Sequence, residues 1–102
     1  MNLISSNIDQ IRILCDRYHV RSLYAIGSVT RDALKPESDV DFVVDIQNDN
    51  PVSYSEDYFA LKFQLEVLFK RAIDLLEEKA IKNPYLLESL NKTKVLVYGK
   101  SY

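Results

Sequence analysis

Gly27-Ser28 is followed, after ten intervening residues, by Asp39-Val40-Asp41. A tight turn with a hydroxyl and free backbone N–H groups suits a phosphate. Two carboxylates at alternate positions of an extended chain lie on one face, about 6.6 Å apart along the strand. Side by side they repel one another and raise each other's proton affinity unless a cation lies between them. Magnesium is the cation such a set favours, because it takes carboxylate oxygens, keeps waters and accepts further ligands from substrate phosphates. The spacing therefore implies a metal-dependent site acting on a nucleoside triphosphate. Two ions roughly 3.5–4 Å apart would divide the work between attacking hydroxyl and leaving pyrophosphate.

Taken singly, each feature has a plainer reading. Gly-Ser is a common turn dipeptide, and Asp-x-Asp at a strand start is often a solvated, capping pair. Their conjunction between two strands favours chemistry.

The run Gly27-Ser28-Val29-Thr30-Arg31-Asp32-Ala33-Leu34-Lys35-Pro36-Glu37-Ser38-Asp39-Val40-Asp41-Phe42 resembles the signature of the DNA polymerase beta-like nucleotidyltransferases, and within them the minimal nucleotidyltransferase (MNT) domains. It departs at Asp32, where many members carry glycine. The resemblance implies an α/β fold with a mixed β-sheet flanked by helices, in the order α-β-α-β-α-β-α-β. It implies that Gly27, Ser28 and Arg31 bind the phosphates of ATP. Asp39 and Asp41 would ligate two Mg2+ ions. Members carry a third carboxylate on a later strand, for which Asp74 is the candidate, its alternative being an ordinary exposed position on an edge strand. The resemblance also implies transfer of AMP to a tyrosine of a HEPN toxin, with this chain as antitoxin in a hetero-oligomer. The alternatives are an antitoxin that acts by binding alone and an enzyme that modifies a free small molecule.

The elements that must hold these residues read as alternating helices and strands. Ile4, Ile8, Ile11, Leu14, Cys15 and Tyr18 recur at helical spacing, which predicts one opening helix over about the first eighteen residues. His19 at its end is expected to interact with the last carbonyls. Strands are predicted at 23–26 and 40–46, with a short helix over 29–34 whose N-terminus favours the same anion. The polar segment 47–57 is expected to be a loop, either a lid or a plain connector, and Tyr54 within it is the one tyrosine considered for the base. Tyr58 to Phe69 predict a long helix whose apolar residues exceed one stripe, as expected where another chain covers part of it. A strand at 72–76 carries Asp74. Asn83-Pro84 is a helix start with Asn as cap and Pro first, and 94–98 reads as a closing strand ended by Gly99. Lys35 is expected to be solvated.

The chain has 102 residues, which predicts a single domain over 1–102 with a real core and no room for an appended acceptor domain. Thirteen Lys and Arg against fifteen Asp and Glu leave no basic block. A long nucleic acid is therefore disfavoured as partner, because phosphate contacts dominate that affinity. The single cysteine, Cys15, permits no internal disulfide and fits a reducing, cytoplasmic setting. Neither a signal peptide nor a membrane span is read.

Overall fold

The computed structural model describes residues 1–99. Four strands, β1 (Val20–Ile26), β2 (Val40–Ile46), β3 (Ile73–Glu77) and β4 (Val95–Gly99), form one sheet in the order β3-β2-β1-β4. β1 is antiparallel to both β2 and β4, whereas β2 and β3 are parallel. The sheet is thus mixed. The parallel pair needs a crossover, supplied by helix α3 (Pro51–Phe69).

Binary patterning decides which face each helix covers. Val40, Phe42, Val44 and Ile46 alternate along β2 and are buried with Leu23, Ala25, Ile73 and Leu75. Against this face pack α1 (Asn2–Ser5), α2 (Ile8–Arg17) and α3, through Ile4, Ile11, Leu14, Leu61, Leu65 and Phe69. Cys15 lies in this core, and burial pushes its thiol up to about 12, which leaves it an inert apolar filler. The opposite face carries a smaller cluster of Tyr24, Ile26 and Val43, partly covered by Leu76, Ile81 and Leu90 of helix α4 (Pro84–Thr93).

The opening helix is broken where one was expected. Ser6 Oγ donates to the Asn2 carbonyl at 2.7 Å and Asn7 Nδ2 to the Leu3 carbonyl at 2.9 Å. Both side chains compete for helix carbonyls, so α1 stops and Asn7 starts α2. His19 does not bond the last carbonyls of α2. It sits at φ 60, and its Nδ1 lies 2.9 Å from Oδ2 of the buried Asp57.

The expected loop over 47–57 is mostly helix. Asn50 Oδ1 accepts from the Ser53 N–H at 3.0 Å and Pro51 takes the first turn, so α3 starts seven residues before the expected Tyr58. No lid remains there. Tyr54 consequently lies on the three-helix face, packed against the main core, with its hydroxyl donating to Glu77 Oε1 at 2.7 Å. Burial and Glu77 push that phenol up to about 12. The base-stacking role considered for Tyr54 is therefore not supported by its position. Along α3, Phe59, Phe63 and Val67 are spaced four apart and are each more than half exposed. Among the described residues no helix is long and apolar enough to cross a membrane.

Candidate functional site

The candidate site lies at one end of the sheet, where β1 ends, β2 begins and β3 begins. Asp41 pairs with Ile26 on one side and with Asp74 on the other. In a parallel register, paired residues project from the same face. Asp41 and Asp74 therefore stand side by side on the face away from α1–α3. Asp39, one position before β2, falls in the same alternation and is exposed.

These charges are felt. Asp41's carboxyl is held above its usual range by burial, and further by the neighbouring Asp74 and Asp39 carboxylates. Among the described residues, no three acidic, histidine or cysteine side chains converge closely enough to close around one ion. Magnesium needs only one or two carboxylates together with waters and phosphate oxygens.

Gly27 closes the site from the β1 side. Its φ of +73 lies in the region glycine adopts freely, and a Cβ built there would stand 3.1 Å from Asp41 Oδ2. The turn backbone thus runs against the Asp41 carboxylate, a contact that any larger residue would crowd. From Gly27 to Arg31 the chain forms a 3-10 turn, shorter than the helix expected over 29–34. Thr30 Oγ1 donates to the Gly27 carbonyl at 2.7 Å. A five-residue turn builds little dipole, so affinity for an anion must rest on its first N–H groups, which lack partners within the turn. Ser28 is half-buried and Arg31 exposed.

Asp32 ends the turn at φ 52. Glycine is favoured in that left-handed conformation, and aspartate is among the few residues that tolerate it. Its carboxylate accepts the Asn2 N–H at 2.6 Å and the Met1 amine at 2.9 Å, bonds that hold it below the usual carboxylate range. The departure at Asp32 therefore keeps the turn and adds a tie to α1.

Sequence reasoning missed Arg71. Its Nη1 donates to the Lys35 carbonyl at 3.2 Å and the Ser38 carbonyl at 3.0 Å. The Ser38 carbonyl belongs to the peptide bond that leads into Asp39, so Arg71 fixes the approach of the first candidate carboxylate. The only signal was a cation two residues before β3. Lys35 contributes its backbone to this clamp.

Comparison with known proteins agrees with the arrangement. The model of the nucleotidyltransferase domain family matches residues 8–97. The chain belongs to that family. It is accordingly a nucleotidyltransferase, and its turn and aspartates occupy the sheet end just described. A relative named "putative protein adenylyltransferase" from Methanocaldococcus jannaschii is 36% identical over 86 residues, covering 84% of this chain and 85% of its own. A solved "putative minimal nucleotidyltransferase" is 25% identical with a TM-score of 0.73, covering 89% of each chain. A structure described as a tri-AMPylated Shewanella oneidensis HEPN toxin in complex with MNT antitoxin matches at a TM-score of 0.66 and 15% identity. It covers 95% of this chain and 73% of that one, a likeness of fold.

Proposed function

We propose that this nucleotidyltransferase moves an AMP unit from ATP to a hydroxyl of a protein partner, a tyrosine of a HEPN toxin, and so acts as an antitoxin in the cytoplasm within a hetero-oligomer. The observation that carries the reading is the pairing of Asp41 with Asp74 across β2 and β3, with the Gly27 backbone against the Asp41 carboxylate. The whole of residues 1–102 serves as one catalytic domain.

Magnesium suits this donor set: Asp41 and Asp74 are paired at one sheet end with Asp39 one residue before β2, all of them hard oxygen donors, and burial together with the two neighbouring carboxylates raises the proton affinity of Asp41. Asp39, Asp41 and Asp74 would hold it. When bound, it supplies charge neutralisation and Lewis acidity at the phosphates. The N–H groups and hydroxyl of Gly27-Ser28 hold the terminal phosphates, and Arg31 adds a cation at the far end of the turn. Arg71 keeps the segment before Asp39 in place, so the carboxylate geometry is set before the nucleotide arrives.

A protein acceptor is supported by the relative named as a protein adenylyltransferase and by the fold-level match to an antitoxin bound to an AMPylated toxin. The exposed apolar ridge of Phe59, Phe63 and Val67 offers a partner protein area to bury. The net charge of −2, with no basic block, disfavours a long nucleic acid, whose affinity rests on phosphate contacts.

The test is intact-mass spectrometry of the partner protein after incubation with the chain, ATP and magnesium. Each transfer adds about 329 Da, an AMP unit less water, as loss of pyrophosphate requires. Asp74→Ala is expected to stop the addition and preserve docking. A partner fully neutralised yet unmodified would replace the enzymatic reading with binding alone.

A further inference from the structure

The strand register places a cation at the carboxylate end that lies outside the Gly-Ser and Asp-x-Asp pattern. Ala25 of β1 pairs with Val95 of β4, so Lys94, the extended residue just before the antiparallel β4, falls beside Ile26. Ile26 in turn pairs with Asp41, and Asp41 with Asp74. One row across the sheet thus reads Asp74, Asp41, Ile26, Lys94, and the Gly27-Ser28 turn leaves the sheet directly after Ile26. The aspartates lie on one side of the turn and Lys94 on the other. Two strand spacings separate the root of Lys94 from that of Asp41, about 10 Å, a distance a triphosphate can span.

The lysine also lies on the correct face. Its Nζ stands 4.1 Å from the centroid of the Tyr24 ring, and Tyr24 is buried with Ile26 and Val43 on the face that Asp41 shares. Its root is fixed, because the Lys94 N–H donates to the Leu90 carbonyl at 2.8 Å as α4 ends. Lys62, Lys79 and Lys92 each pair with a carboxylate. Among the described residues no carboxylate lies within 4.0 Å of the Lys94 ammonium. A ring face holds a cation weakly where water reaches it, so the ammonium can exchange the ring for a stronger anion. A polyphosphate lying on the turn is such an anion, and metal held by the aspartates would neutralise only its near side.

We propose that Lys94 binds the terminal phosphates of the incoming nucleoside triphosphate, from the β4 side of the Gly27-Ser28 turn and opposite the three aspartates. The inference rests on the reading of ATP as substrate. Lys94 would be a substrate-binding residue at the junction of α4 and β4, independent of the motif.

The experiment is calorimetric titration of the full chain with ATP and with AMP, each in magnesium, for the unaltered protein and for Lys94→Met, Lys94→Gln and Lys94→Arg. Loss of one charge-assisted phosphate contact is expected to weaken ATP binding about tenfold in Lys94→Met. AMP, which lacks the terminal phosphates, is expected to change by less than about twofold, and Lys94→Arg to restore most of the ATP affinity. Equal losses for ATP and AMP would show that Lys94 only packs on Tyr24 and would overturn the proposal, as would unchanged ATP affinity. If Lys94→Met does not fold, the pair Lys94→Arg and Lys94→Gln decides, and equal ATP affinity in the two overturns it. An unaltered chain that binds no ATP would overturn the nucleotide reading itself, an outcome distinct from ATP binding that ignores position 94.

Discussion

Asp74 lies directly beside Asp41, 33 positions apart in the chain yet paired across the parallel strands β2 and β3. Burial and the two neighbouring carboxylates hold the Asp41 carboxyl above its ordinary value of 3.8. An acid whose folded value is raised destabilises the fold wherever it is ionised. That cost is absent below 3.8, grows as pH rises from 3.8 to the raised folded value, and is fully present above it. Asp41→Asn removes it. Without metal, the variant is expected to melt about 2 °C higher at neutral pH, a modest figure because the group is partly solvated. The gain should vanish at about pH 3, where both states are protonated in the parent. A lower melting point at neutral pH would make Asp41 a structural residue.

The same substitution made together with Asp39→Asn is expected to abolish AMP transfer. Metal ligands matter more than their outer-shell partners, whose loss costs about 10- to 100-fold, so at least a hundredfold fall is expected. Calorimetry should show in parallel that magnesium no longer strengthens ATP binding. Retained magnesium dependence would place the ion elsewhere.

Arg71→Ala removes the two bonds that tie the Lys35 and Ser38 carbonyls. Stability is expected to fall by about 1 kcal/mol, typical of lost hydrogen bonds to a charged donor near solvent. Transfer should fall by more than stability explains, because the segment before Asp39 is released. Denaturant titration alongside initial rates separates the two, and unchanged turnover would limit Arg71 to packing.

At the other end of the sheet, Asp57 accepts from Asn48 Nδ2 at 2.9 Å and lies 2.9 Å from His19 Nδ1. Asp57→Ala leaves buried polar groups unpaired and is expected to cost about 2 kcal/mol by denaturant titration. Turnover measured well below the melting point should stay within about twofold, since the site lies beyond the opposite ends of β1 and β2.

Phe42 and Phe63 give a sharper contrast of burial. Phe42 is fully buried, its ring centroid 6.0 Å from that of Phe69, so Phe42→Ala is expected to cost about 3–5 kcal/mol. Phe63 is 61% exposed, and Phe63→Ser should change stability by no more than about 0.5 kcal/mol. A large loss at Phe63 in the isolated chain would mean that it packs against a second copy.

Local chemistry made several elements legible from sequence. β2 keeps an apolar residue at every second position, Val40, Phe42, Val44 and Ile46, and forms as read, and Asn83-Pro84 starts α4 because cap and first-turn proline act within three residues. The same signal at Asn50-Pro51 was obscured by the polar run that follows. The polar side chains there proved to be satisfied internally, Ser53 by Asn48 and Asp57 by His19. Side-chain competition at Ser6-Asn7 split the first helix although its apolar spacing runs through the break. The Gly-Ser and Asp-x-Asp spacing, with the family resemblance it carries, was enough to name the chemistry and the candidates Gly27, Ser28, Arg31, Asp39 and Asp41. Tertiary structure alone decided that Asp74 stands beside Asp41, that the Gly27 turn leaves no room for a side chain beside the Asp41 carboxylate, that Arg71 clamps the approach to Asp39, and that Lys94 falls beside Ile26 with its ammonium over Tyr24. Those relations depend on strand order and register. Both are settled by which apolar faces bury together across the whole chain, and no local window of sequence contains that information.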